Sequence, residues 1–145
     1  YSAIMTRADH IIAVSQCVQD YVLNNYPVPE EKLTVIQRGV DVDAFRQREL
    51  TSQWLDRWFR QYPQLAEQKI IMMPGRISRW KGQLDFLAMM AQLVRERPDC
   101  HGIIVGGAEP GKEHFLEELE KKRAHLGLTD KVSFLGQRND MTNLY

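Results

Sequence analysis

Residues 70–82 read I-I-M-M-P-G-R-I-S-R-W-K-G, and the fold turns on how they are read. A short apolar run breaks at Pro74-Gly75, a basic loop follows, and from Lys81 onward apolar residues recur at helical spacing. The reading is strand, turn, helix. Buried parallel strands look like continuous apolar runs, and the loop leaving the carboxyl end of such a strand is where open α/β sheets bind ligands. This loop carries Arg76, Arg79 and Lys81 and so offers cations to an anion. A guanidinium grips phosphate oxygens through a planar fork, and an ammonium at a helix start adds its charge to the positive end of the helix dipole. Gly75 and Gly82 would let backbone amides approach a ligand with no Cβ in the way. A solvated basic turn is the plainer reading of the same residues.

The alternation continues outward on both sides. Downstream, 81–97 repeats Leu84, Leu87, Ala91 and Val94 until Pro98 stops it, and 101–105 is a strand ended by Gly106-Gly107. A helix over 112–126 turns Phe115, Leu119 and Leu126 inward, with Gly127 as its left-handed cap. Residues 131–135 form the next strand, Gly136 begins a loop, and Asp140 caps a last helix. Upstream, 1–9 end a helix and 10–14 make a short buried strand. Ser15 is an N-cap for a helix over 16–25, with Val18, Val22 and Tyr21 on its apolar side and Pro27 and Pro29 beyond its end. Residues 32–36 are a second strand, parallel to the first. Residues 37–48 read as a connector pinned at Phe45. Over 52–63, Trp54, Leu55, Trp58, Phe59 and Tyr62 recur on one helix side, a stripe that points to a core or domain seam rather than a sugar-stacking platform. The fold class is α/β, with Rossmann-like parallel sheets and flanking helices.

Composition narrows the function classes. The 145 residues are 43% hydrophobic and carry 19 Lys plus Arg against 19 Asp plus Glu, so no global field attracts nucleic acid or an acidic membrane. An anion site has to be local. Cys17 and Cys100 stand far apart, which argues against a disulfide framework or a zinc site and for a reducing cytosol. No apolar run reaches the ~20 residues of a membrane span, and no charged-then-apolar leader is seen. Tyr1 and Tyr145 as chain ends read as the edges of an excerpt from something longer.

Three other groups invite chemistry. Asp41-Val42-Asp43 is a D-x-D triplet, but two carboxylates in a connector make a poor metal cage, and turn-capping through their side chains is the better reading. Cys100-His101 falls at a strand entrance, away from the ligand-bearing ends; His10 opens a strand, and His114 and His125 read as a solvated helix face. Residues 106–111, G-G-A-E-P-G, form a glycine-rich turn that matches neither the dinucleotide nor the P-loop pattern, and the Lys112 that follows has no Ser or Thr after it.

I-I-A-V-S at 11–15, V-I-Q-R-G-V-D-V-D-A-F at 35–45, P-G-R-I-S-R-W-K-G-Q at 74–83, I-I-V-G-G at 103–107 and V-S-F-L-G-Q-R-N-D-M at 132–141 together resemble family-4 retaining glycosyltransferases. The central loop is most similar to bacterial lipopolysaccharide-core mannosyltransferases. The resemblance implies a partial GT-B two-domain fold: 1–38 as the tail of an N-terminal acceptor domain, 39–50 as connector, and 51–145 as the first half of a donor-binding domain. It implies donor contacts at Gly75, Arg76, Lys81, Gly82, Gly106, Gly107, Gln137 and Arg138. Arg76 and Lys81 would stabilise the leaving diphosphate, and Gln137 and Arg138 would border the base largely through backbone groups. The implied partners are a nucleotide sugar and a glycan or lipid-linked saccharide acceptor, with no nucleic acid. No metal or cofactor is obligatory on this reading. The loop's wording suggests GDP-mannose and leaves UDP- and ADP-sugars open. The family's paired glutamates and acceptor-binding glycine loop would lie outside 1–145, so the isolated piece is expected to be inactive. A cytoplasmic location is expected, with peripheral membrane contact through an N-terminal half not present here. The alternative is a non-catalytic nucleotide- or phosphosugar-binding regulatory module; a general dinucleotide-binding domain is disfavoured by the missing glycine fingerprint.

Overall fold

The computed structural model describes residues 3–46, 49–111 and 113–145. Two compact units divide the chain after Arg46. In the first, a 3-10 turn (Ala3–Arg7) leads into β1 (Ile11–Ala13), α1 (Gln16–Asn25), a second 3-10 turn (Glu30–Lys32) and β2 (Leu33–Val35). β1 and β2 pair in parallel, Ile11 opposite Leu33 and Ala13 opposite Val35. Ser15 starts α1 as its spacing predicts: its backbone is extended and its Oγ accepts from the Val18 amide at 3.3 Å. Ala13, Val28 and Leu33 form the small core, with Val18, Val22 and Leu23 of α1 packed on it.

Three expectations for this unit need correction. β1 is not buried throughout, because a strand's side chains alternate and α1 covers one face of the pair; Ala13 is buried while Ile12 is 60% exposed. Tyr21 lies outside the apolar stripe, where Leu23 takes its place. Phe45, expected to pin the connector, is 39% exposed. Asp41 does what a turn aspartate does, its Oδ1 accepting from the amides of Asp43 at 3.1 Å and Ala44 at 3.2 Å.

The second unit runs α2 (Ser52–Gln61), β3 (Lys69–Pro74), α3 (Gln83–Glu96), β4 (Cys100–Val105), α4 (His114–His125), β5 (Val132–Gly136) and α5 (Met141–Leu144), with 3-10 turns at Pro63–Leu65 and Arg79–Lys81. β3, β4 and β5 form one parallel sheet in that order, with β4 buried along its whole length. Helices cover both faces. Ile104 and Val132 pack with Phe86, Leu87 and Met90 of α3 and Phe115 and Leu119 of α4. Ile103, Val105 and Leu135 pack on the opposite face with Trp58 of α2 and Leu65. Gly102 permits the first contact, since a Cβ there would stand 3.2 Å from Met90 and Phe86. α4 closes as expected at Gly127 (φ 69°), whose amide donates to the Ala124 carbonyl at 3.0 Å.

Here too the structure departs from the sequence reading. β3 is half-buried, with Ile70 exposed, because it pairs on one side only. Phe59 falls outside the aromatic stripe, which follows Trp54, Trp58 and Tyr62 at intervals of four. α3 begins at Gln83 rather than Lys81, because Gly82 is left-handed (φ 76°) and separates the Arg79–Lys81 turn from the helix. Asp140 stands at the N-cap position of α5 but makes no capping bond with its side chain. Among the described residues no helix is long and apolar enough to cross a membrane.

Candidate functional site

The loops leaving β3, β4 and β5 meet at the carboxyl edge of the sheet. Parallel pairing does not stop where the strands do: the Gly75 amide donates to the Val105 carbonyl at 2.8 Å, Ile77 to Gly107 at 2.9 Å and Gly106 to Gly136 at 2.8 Å. The first two loops cross so closely that a Cβ on Gly106 (φ 149°) would lie 2.0 Å from the Gly75 carbonyl oxygen. Only glycine fits there. Gly107 faces the third loop, its missing Cβ 3.7 Å from that of Gln137. Gly75, Gly106, Gly107 and Gln137 therefore fall in one small region, while Gly82 lies at the start of α3, a Cβ there 3.6 Å from Asp85 Oδ2 and 3.9 Å from Met73 Cε.

Arg76 sits where this crossing fixes the backbone. Its carbonyl accepts from Gln83 Nε2 at 2.9 Å, and its guanidinium, largely exposed, pairs with the Glu109 carboxylate from the second loop. The Arg79–Lys81 turn, closed by the Lys81 amide donating to Ser78 at 3.0 Å, folds the Lys81 stem over Gly75, with Cδ 3.9 Å and Cγ 4.0 Å from where a Cβ on that glycine would be. Arg76 and Lys81, five positions apart in sequence, thus rise from the same crossing. Among the described residues no side chain pairs with the Lys81 ammonium.

Arg79 does not join them. It turns to α4, bonding Glu118 at 2.5 Å and lying over the Phe115 ring at 4.8 Å, so the loop's three cations do not act as one group. Between this loop and the start of α4 is a cavity of about 270 Å³ lined by Arg76, Ser78, Trp80, Glu109, His114 and Phe115 among others, and Trp80 is 95% exposed.

The Arg138 side chain also turns away, toward α2. It is held by Asp140 at 2.6 and 2.8 Å and by the Tyr62 hydroxyl at 3.2 Å, above the rings of Trp58 and Tyr62. The Arg138 guanidinium, with a further bond from Trp54 Nε1, holds the Asp140 carboxyl below its usual range, and Asp140 in turn raises Arg138. That bonding keeps the Asp140 carboxylate from capping α5. A cavity of about 360 Å³ opens there, lined by Trp54, Arg57, Trp58, Gln61, Arg138, Asp140 and Asn143. Lys112 lies outside the described residues. Among those described, no group of three or more His, Cys, Asp or Glu side chains could hold a metal ion.

Two residues of the crossing escape a reading of the loop alone. Glu109 carries no signal beyond its place in a glycine-rich turn. Gln83 does: it stands three and four positions before Phe86 and Leu87, on the buried face of α3, where a polar side chain needs a reason.

Residues 56–145 match the family model described as Glycosyl transferases group 1, and 1–44 the model described as Glycosyltransferase Family 4. The lipopolysaccharide core biosynthesis mannosyltransferase LpsB of Rhizobium meliloti is 28% identical over 147 residues, a match covering 98% of this chain and 37% of LpsB. A D-inositol 3-phosphate glycosyltransferase of Streptomyces avermitilis is 30% identical over 135 residues, covering 90% of this chain and 28% of its own length. Among solved structures, HepE of Anabaena in complex with UDP and glucose superposes with a TM-score of 0.79 at 27% identity, over 99% of this chain and 40% of HepE. The chain spans less than half the length of each of these relatives, and the parallel-sheet α/β fold it shares with HepE is part of a GT-B fold.

Proposed function

The chain belongs to the Glycosyl transferases group 1 family, and from that premise we propose that the crossing of its β3 and β4 loops seats the diphosphate of a nucleotide-sugar donor. The observation that carries the proposal is the rise of Arg76 and Lys81 from one glycine-built crossing at the carboxyl edge of a parallel sheet. When the bond between the sugar's anomeric carbon and the diphosphate breaks, negative charge grows on the leaving phosphate. Cations fixed beside it stabilise the transition state more than the ground state, the part a metal ion plays elsewhere. The transfer would retain anomeric configuration and move a hexose to a glycan or lipopolysaccharide-core acceptor. UDP bound to HepE and mannosyl transfer by LpsB make UDP-glucose and GDP-mannose the donors to compare. On this proposal 51–145 is the first half of the donor domain, 39–50 the connector and 1–38 the tail of the acceptor domain. Gln137 and Arg138 would border the base through their backbone.

Thermal unfolding of the chain with UDP, GDP, ADP and NADH tests the seat. A ligand at a hundred times its Kd adds about 2.7 kcal/mol of stability. Stabilisation by one nucleoside diphosphate, lost in Arg76→Ala and Lys81→Ala, is the expected result. Stabilisation that survives both substitutions, or that NADH matches, would overturn the proposal.

A further inference from the structure

We propose that Gln83 is a positioning residue for Arg76, an inference that rests on the diphosphate seat just described. Gln83 is 1% exposed, at the first residue of α3, and its Nε2 donates to the Arg76 carbonyl at 2.9 Å. The orientation of its amide is fixed by that partner, since a carbonyl accepts only from the nitrogen end. The oxygen end, Oε1, is buried and finds no partner.

A residue kept only to fill this space would be a leucine or methionine, which leave no buried acceptor unpaired. The donor is what Gln83 contributes. It joins α3 to the loop at the one residue whose flanks are already fixed, Gly75 by Val105 and Ile77 by Gly107. With the carbonyl held as well, the Arg76 peptide cannot rotate, and the guanidinium starts from a set Cα–Cβ direction. The left-handed Gly82 sets this up, turning the chain so that the residue after it enters α3 facing the loop rather than solvent.

A double-mutant cycle separates positioning from packing. Calorimetric titration of the chain, as wild type, Arg76→Ala, Gln83→Leu and the double variant, uses whichever of UDP and GDP the wild type binds more tightly. Gln83→Leu is expected to weaken binding about 3- to 10-fold, the scale of one misdirected charge-assisted contact, and to cost almost nothing further once Arg76 is alanine. Gln83→Met, closer in length, reports the same cycle if the leucine variant does not fold. Equal losses with and without Arg76 would show a packing role and overturn the inference, as would unchanged binding in Gln83→Leu. If Arg76→Ala weakens binding while Gln83→Leu does not, this inference alone fails. If the wild type binds neither diphosphate, the seat fails and the inference with it.

Discussion

Arg76 does not wait with an empty guanidinium: the Glu109 carboxylate is already on it. A carboxylate oxygen resembles a phosphate oxygen to a guanidinium, so Glu109 competes with a diphosphate arriving at Arg76. Exposed ion pairs contribute up to about 1 kcal/mol. Glu109→Gln should therefore tighten nucleoside-diphosphate binding by about two- to fivefold in calorimetric titration at low salt, with the gain shrinking as salt screens the pair. Weaker binding in that variant would mean Glu109 aims Arg76 rather than competes for it. The basic character of this loop was legible in the sequence, and so were the glycines beside it. Which cation does what was not. Arg76 and Arg79 are three residues apart in one loop, and only Glu118 and Phe115 on α4, far along the chain, draw the second away. Arg138 was hidden for the same reason, since Asp140 is near in sequence but Tyr62 and Trp58 are not.

At the scale of elements, the site is made by strands that keep pairing after their side chains leave the core. Gly106→Ala places a methyl 2.0 Å from a backbone carbonyl that has no rotamer to escape into, at a backbone angle that alanine resists. Urea unfolding should show a loss of about 3 kcal/mol or more, with nucleotide binding abolished in the fraction that folds. A loss under about 0.5 kcal/mol would mean the loops separate easily. Elsewhere on the same sheet, His101 of β4 is buried against the Ser133 hydroxyl at 2.9 Å, and burial, with Lys131 nearby, pushes its imidazole below the usual range. Unfolded, that imidazole takes up a proton near pH 6.5, which the folded form resists. Stability should therefore fall as the pH drops from about 6.5 through the lower folded value, by at most about 1.4 kcal/mol per pH unit, and His101→Gln should flatten that limb. An unchanged limb in His101→Gln would assign the pH dependence to other groups. Element types were legible from periodicity, because Gly and Pro mark almost every junction. Element edges were less so. The left-handed Gly82 moved the start of α3 by two residues, and the periodicity of 81–97 cannot register a single residue's handedness.

For the molecule as a whole, the balance of charge is even, and the cations proposed to hold the diphosphate are few and local. Alternating strand and helix made the parallel α/β class readable from end to end, and the five quoted motifs carried the family. The crossing of the β3 and β4 loops was not readable, because it joins Gly75 to Gly106 across thirty residues through backbone atoms that leave no side-chain pattern. The whole second unit serves that crossing: β4 supplies the buried axis, α3 brings Gln83 to it, and the β5 loop sets Gln137 beside Gly107. A two-dimensional NMR titration of the isotope-labelled chain with UDP and with GDP tests the proposed diphosphate seat most directly. Saturable amide shifts centred on residues 75–82, 106–109 and 136–138 are expected. Shifts centred instead on Trp54, Trp58 and Asn143 beside α2, or none that saturate, would contradict it.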